Sequence, residues 1–463
     1  MRKGRVNVPN ELRHQHIMIR GRGDGLKPVA FLTTFLIGFL VILNHHISQL
    51  SESFDSMRTS TGAVFATGLL GSASASFLYV TSYAGTVTTL NLVQSSTKRS
   101  TASLQTVATS TACGSQPSWL NLDFQKSFVY CLDEAWDSPN GAVTSFYTGA
   151  NGSLTPIDRV DLIGGPVSIA EYGVGGSGLA IASYAGSGLN VVAMTPEGGV
   201  DVVQNFTFTL DQPGPDPVRQ DVPHPHQAIL DPTAAFILVP DLGADLVRIY
   251  QADAGSLTLT PVEPLGVKPG SGPRHGVFKT ALNTTFFYLV SELANTITGY
   301  EVLYHANKTL GFSELFVMGT HGDNKTLPVG TGAAEIHVSP DEKFLIVSSR
   351  WEYSMNITNF DPNNSTMIRS DPIINYAIDN HTGSLKKLQE VPAGGAGPRH
   401  FSLNADGNLL AVGLQGDGRV AIIERDVQTG MLGDFVATVD VPGEVNTVIF
   451  NEDYHVKRRT ILE

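Results

Sequence analysis

The sequence predicts an all-β chain folded as one ring of similar sheets, and three observations carry that prediction. Composition is the first. Only 16% of the 463 residues are charged, 47 are glycine, and aromatic residues are spread along the chain. That balance suits a turn-rich β protein better than a helical or disordered one. The second is a cadence. Apolar runs of strand length begin at Phe77 (FLYVTSY), Ser127 (SFVYCLDE), Gly178 (GLAIASY), Phe236 (FILVPDL), Phe286 (FFYLVSEL), Phe344 (FLIVSSR) and Leu409 (LLAVGLQ). They recur about every 50–60 residues, within the range of propeller-blade periods. The third is that no long helical periodicity interrupts them.

Each run reads as the second strand of a repeated unit. The segments DPTAA, SPDEK and NADGN precede three of the runs and carry hairpin chemistry, so they join a first strand to the second. Third strands follow at DLVRIYQ, NTITGYEV and GRVAIIERD. One such sheet cannot bury both faces alone, but a ring of them can. Seven units fit between Phe77 and the C-terminus, which predicts a single seven-bladed β-propeller over residues 76–454, with 455–463 as a tail. Val445–Phe450 (VNTVIF) is expected to complete the blade begun near Phe77. A pair of β-sandwiches leaves the cadence unexplained.

The segment before Phe77 carries two targeting patterns. Residues 28–43 are apolar after a basic stretch, and they offer the one route to a membrane, as a signal anchor. From Met57, a basic residue, a short apolar run and Ala73-Ser74-Ala75 resemble a secretory signal with a small-residue cleavage site. This second pattern abuts the first strand, so residues 57–75 are read as a signal peptide and residues 1–56 as an extension outside the domain. N-glycosylation sequons recur at Asn151, Asn205, Asn283, Asn307, Asn324, Asn356, Asn363, Asn364 and Asn380. The expectation is a secreted glycoprotein. Two cysteines, Cys113 and Cys131, allow one disulfide or none. The net charge of −13, from 43 acidic and 30 basic residues, argues against nucleic acid as a partner.

Hairpin geometry predicts where chemistry gathers. The start of a first strand and the end of a second lie at one end of the sheet, and first strands line the central channel. Positions at the starts of first strands hold His226, Arg274 and His275, Glu335 and His337, and Arg399 and His400; the ends of second strands hold Asp241, Glu292 and Arg350. In a chain poor in charge, these polar residues should ring one mouth. Arginines offer planar donors to carboxylates, and glutamate or histidine can move protons when burial tunes them. No serine-nucleophile, zinc-protease or phosphate-loop motif is present. His224 and His226 share a face if the segment is extended, but further ligands are missing and the nearby arginines repel a cation, so no metal is expected. His224 sits between two prolines and is expected to be dispensable. His275, His337 and His400 read as inter-blade hydrogen-bonding residues.

The segments PHPHQAILDP, FILVPDLGADLVRIY, SGPRHGVF, LVSELANTITGYE, AAEIHVSPD, FLIVSSR and GAGPRHFSLNADGNLLAVG together resemble the seven-bladed propeller lactonases. That family includes bacterial-type 6-phosphogluconolactonase and the fungal 3-carboxy-cis,cis-muconate lactonizing enzyme. The resemblance spans roughly Phe77 to Tyr454. It implies a cofactor-free enzyme that opens or closes a lactone ring on a small carboxylated or polyhydroxylated substrate. By motif, the implied site residues are His226, Arg274, Glu292 and Arg350; the strand-end geometry adds Arg399, Glu335 and Asp241 as substrate-binding candidates. Hydrolysis would have Glu292 or His226 activate water and the other protonate the departing alkoxide; cycloisomerisation would use the same groups. The rival class is a non-catalytic secreted or cell-surface propeller.

Overall fold

A computed structural model describes residues 76–94, 102–123, 128–323 and 325–452. The extension at 1–56, the apolar stretch at 28–43, the signal at 57–75, the tail at 455–463 and the Asn324 sequon lie outside the described residues.

Seven four-stranded antiparallel sheets form the predicted β-propeller. The first blade runs outward from Val445–Phe450 through Ser76–Ser82 and Thr86–Gln94 to Ala102–Ser110. The remaining inner strands are Pro117–Leu122, Pro166–Tyr172, Ile229–Leu230, Pro273–Ala281, Gly332–Val338 and Pro398–Leu403, for blades two to seven. Every run singled out in the sequence is the second strand of its blade. Blade six carries an inserted hairpin, Met355–Thr358 paired with Met367–Ser370, between its second and third strands.

Local chemistry sets the hairpins. In blade four the Asp231 carboxylate accepts the N–H groups of Thr233, Ala235 and Phe236 at 2.7–3.0 Å. The Ser339 hydroxyl accepts the Phe344 N–H in blade six, and the Asn404 side chain accepts the Leu409 N–H in blade seven. A short polar side chain at one position thus folds the turn three times over.

The second strands read as unbroken apolar runs because both of their faces are buried. Phe236 and Leu238 pack towards blade five, while Ile237 and Val239 pack towards blade three. One apolar cluster fills each of the seven gaps between neighbouring blades. This arrangement, with no two-sheet core, excludes the sandwich alternative. A disulfide joins Cys113, beyond the outer strand of blade one, to Cys131 in the second strand of blade two.

Ring closure joins the two ends of the domain. Val448 pairs with Val80, and Phe450 with Leu78. Asn446 and Thr447 also donate to the Pro117 and Ser118 carbonyls of blade two, at 3.0 and 2.8 Å. Val445, Val448 and Phe450 are buried, each contributing about 1.5–3 kcal/mol against a whole-domain margin of about 5–15 kcal/mol. A chain ended at Glu444 is therefore expected to lose its single cooperative thermal transition, measured by circular dichroism. A melt within a few degrees of the intact chain would show that the ring holds without this strand.

Candidate active site

The inner strands share an irregularity that aims side chains inward. The ladder between first and second strands shifts at Pro117/Trp119, Pro166/Ser168, Pro273/His275, Ala333/Ile336 and Pro398/His400. A bulge frees one residue from pairing and re-aims its side chain. The freed residues include Arg274 and Arg399. In blade four the same place is held by an isolated bridge between Pro225 and Asp241, and the His226 N–H donates to the Pro240 carbonyl at 2.9 Å. His226, Arg274 and Arg399 thus occupy equivalent positions in three blades.

Glu292 follows the second strand of blade five and meets three guanidinium groups. Arg219 donates to one carboxylate oxygen at 2.7 Å; Arg274 and Arg350 approach the other at 2.9 and 3.0 Å. Arg274, Arg350 and Glu292 are nearly sealed from solvent, whereas the Arg219 side chain is 39% exposed. The glycine at 332 keeps room here: a Cβ would lie 3.3 Å from Glu292 Cγ. Burial would raise the Glu292 carboxyl, but Arg350, Arg274 and Arg219 outweigh it and hold the group at about 2. Burial, then the Arg350 charge, pushes Arg274 down to about 9 despite Glu292. Arg350 is lowered as well, by burial first, with Arg399 and Arg219 adding to it against Glu292. Three cations share this one carboxylate, so the group is short of negative charge; Arg399, beside it, also feels Glu134 and Glu444, which help to keep it charged against burial.

Beside it lies a file of imidazoles. His226 Nδ1 is 3.1 Å from His275 Nε2, and His275 Nδ1 is 3.0 Å from Glu335 Oε1. Towards the mouth stand half-buried aromatic residues. Tyr184 hydrogen-bonds Arg219 and sets its ring edge on His226, with centroids 5.5 Å apart. Tyr83 donates its hydroxyl to Glu134 and lies under the Arg399 guanidinium at 5.7 Å. After Arg350 the chain turns through positive φ at Trp351 (67°) and Tyr353 (48°), a costly conformation for bulky residues. Asp371 holds it there by accepting the N–H groups of Trp351, Glu352 and Tyr353. The blade-six hairpin leaves the sheet from this strained turn.

The structure brings His226, Arg274, Glu292, Arg350 and Arg399 to one place. Two expected substrate contacts are corrected. Asp241 is fully buried and turned to its own blade, accepting the His224 and Ala244 N–H groups and pairing with Arg248. Glu335 is 1% exposed beneath the imidazoles, so it touches histidines and no part of the mouth. His224 is no loose ornament: its ring stacks on Tyr184 at 4.2 Å and contacts the Tyr184 carbonyl and Asp221, each at 3.0 Å. Its two nitrogens face the Tyr184 carbonyl and Asp221, while His226 Nδ1 faces His275, so the pair does not present both imidazoles to one ligand. Ligand atoms of Glu335, His337 and His400 do lie within 4.8 Å of one another. Yet His400 Nδ1 accepts the Val448 N–H, which leaves the proton on Nε2, the nitrogen nearest Glu335. Arg219 was missed in the sequence because it sits in an irregular loop without a motif. Its one signal was an arginine shortly before a first strand in a chain poor in charge.

Comparison with known proteins agrees with this architecture. Residues 77–450 match the family model described as Lactonase, 7-bladed beta-propeller. A probable 6-phosphogluconolactonase of Arthroderma benhamiae is 32% identical over 317 residues, covering 68% of this chain and 75% of the relative. A 6-phosphogluconolactonase of Formosa agariphila is 27% identical over 337 residues, covering 72% and 88%. The solved structure of Pseudomonas aeruginosa periplasmic gluconolactonase shares the fold, with a TM-score of 0.66 at 22% identity over 81% of this chain and 99% of that one.

The Glu292 cluster has a signature in acid. Its depressed carboxyl contributes stability that is fully present above about pH 4.5 and is lost as pH falls towards about 2. Glu292→Gln is expected to lower the melting temperature at pH 7, since breaking a buried pair costs about 3–5 kcal/mol. The gap between wild type and variant should then shrink as melts are repeated from pH 4.5 down to pH 3. A constant gap would mean that the carboxylate charge does not hold the arginines.

Proposed function

Because the chain belongs to the seven-bladed β-propeller lactonase family, we propose that it hydrolyses a small lactone bearing an anionic group. The observation that carries the substrate class is the set of three arginines on the single Glu292 carboxylate, with Arg399 close by. A protein of net charge −13 has concentrated cations at one mouth, where the low-dielectric walls strengthen their field. A carboxylate or phosphate on the substrate would supply the negative charge that Arg274 and Arg350 lack. Arg219 and Arg399, nearer solvent, would meet it first.

The chemistry follows from the same groups. His226 takes a proton from water at Nε2, and the resulting hydroxide adds to the lactone carbonyl. The guanidinium groups stabilise the oxyanion. The ring C–O bond then breaks, and the imidazolium returns its proton to the departing alkoxide. Water has been added across the ester, giving a hydroxy acid. Glu292 donates no proton, because a carboxyl held at about 2 carries none at neutral pH, and both its oxygens are already engaged by guanidinium groups. Its work is to hold the arginines in position.

A panel of phosphorylated, carboxylated and neutral sugar lactones tests this reading. Anionic lactones are expected to be preferred at least tenfold in kcat/KM. Arg219→Met should raise KM for them by about 10- to 100-fold, as losing one charged hydrogen bond of about 1.5–3 kcal/mol implies. His226→Gln should lower kcat by about 10²-fold or more. Equal turnover of neutral and anionic lactones, untouched by either variant, would remove the proposal.

The secretory reading is carried forward as part of this proposal. The eight sequon asparagines among the described residues are all exposed, and Asn356, Asn363 and Asn364 lie on the blade-six hairpin segment. Full-length protein made in a glycosylating host should gain mobility on a gel after endoglycosidase treatment. An unshifted band would count against passage through that pathway.

A further inference from the structure

We propose that Glu335 and His275 are positioning residues that fix the tautomer of His226 and leave its Nε2 lone pair as the proton acceptor. The chemical role rests on the lactonase reading above; the tautomer rests on the hydrogen-bond geometry together with both buried rings being neutral.

Three blades each contribute one member. Glu335 stands on the inner strand of blade six, His275 on that of blade five, and His226 at the start of blade four. The links are 3.0 Å from Glu335 Oε1 to His275 Nδ1 and 3.1 Å from His275 Nε2 to His226 Nδ1. Glu335 cannot swing away. Its Oε1 also accepts the Ile336 N–H at 3.1 Å, and its own N–H is bound by the Ser348 hydroxyl at 3.0 Å. The rings are held as well. Trp119 packs edge-on against His275 and Tyr184 against His226, at 5.9 and 5.5 Å.

Charge and hydrogen count fix the direction of the chain. Burial would raise the Glu335 carboxyl, but the His275 contact, then His400 and His337, keep it well below the usual carboxylate range. It is an acceptor only. Burial pushes His275 down to about 4 against the pull of Glu335, so it is neutral and owns one N–H. That hydrogen must face Glu335, on Nδ1. His275 Nε2 is then an acceptor, and the atom opposite it, His226 Nδ1, must be the donor. Burial, then Arg274, His275 and Arg399, keeps His226 neutral too. Its second nitrogen, Nε2, therefore carries the lone pair. The hydrogen-bonded chain ends on a histidine beside the arginine cluster, where a base is wanted. When His226 takes up a proton from water, the Glu335 charge at the far end of the chain offsets the neighbouring guanidinium groups.

Two measurements test the inference. In substrate-free wild type, ¹⁵N imidazole chemical shifts should show His226 protonated at Nδ1 and bare at Nε2. The opposite tautomer would overturn the relay whether or not any lactone is turned over. In kinetics, Glu335→Gln should lower kcat about tenfold with KM within about twofold. It should also move the acid limb of the kcat profile to lower pH, because a neighbouring negative charge no longer favours protonated His226. The groups facing this chain are Arg274 and Arg399 at the His226 end, Tyr184 beside it, and His337 and His400 at the Glu335 end, all retained in the variant. His275→Leu, which removes the acceptor, should cost kcat about 10²-fold or more, and His275→Gln, whose amide oxygen can accept the same hydrogen, should recover most of it. A wild-type kcat with an unshifted limb in Glu335→Gln would sink the relay and leave the lactonase reading standing. That reading falls separately, if wild type opens no lactone.

Discussion

A sheet with two apolar faces has no stable existence alone, and this chain contains seven of them. Burial is completed only when every blade has a neighbour on each side, which forces the sheets into a closed ring. The pairing of Val445–Phe450 with Ser76–Ser82 is the contact that makes the ring finite. It gives blades seven and two the partner faces they need, and it joins segments separated by almost the whole domain. The apolar gaps, the channel and the convergence of inner strands on one axis all follow from that closure.

Closure also creates an electrostatic problem that the site turns to use. Inner strands crowd towards the axis, so polar residues placed on their bulges meet at short range. Arg274 and Arg350 are held close together away from water, an arrangement that would be unstable without Glu292 between them. One carboxylate does not balance its three guanidinium partners. The residual field points at the mouth, where the partly exposed Arg219 and the half-buried Arg399 can engage an incoming anion. The same crowding organises the imidazoles beneath, where Glu335 meets His337 of its own blade and His275 and His400 of the two neighbouring blades.

The fold was legible because its signals are local and repeated. Strand length, apolar runs and turns headed by Asp231, Ser339 and Asn404 each act within one hairpin, and the hairpin recurs seven times. The mouth was legible too, since antiparallel pairing alone puts the start of a first strand beside the end of a second. His226, Arg274, Glu292, Arg350 and Arg399 were found by that rule. Asp241 satisfied the same rule and still turned away, because three groups of its own blade compete for its carboxylate. Glu335 also satisfied it, one bulge position deeper, where it meets histidines in place of solvent.

By itself, then, the sequence determined the number of blades, the strand that closes them and the end of the ring where charge collects. Those properties depend on spacing and on residue type, which are written along the chain. Only the tertiary structure decided the partnerships: Arg219 from an irregular loop onto Glu292, Glu335 onto His275, His275 onto His226. A partnership across blades depends on where each bulge aims a side chain and on how closely the ring draws the inner strands together. Neither is set within any one blade, so both are decided only when the ring has closed.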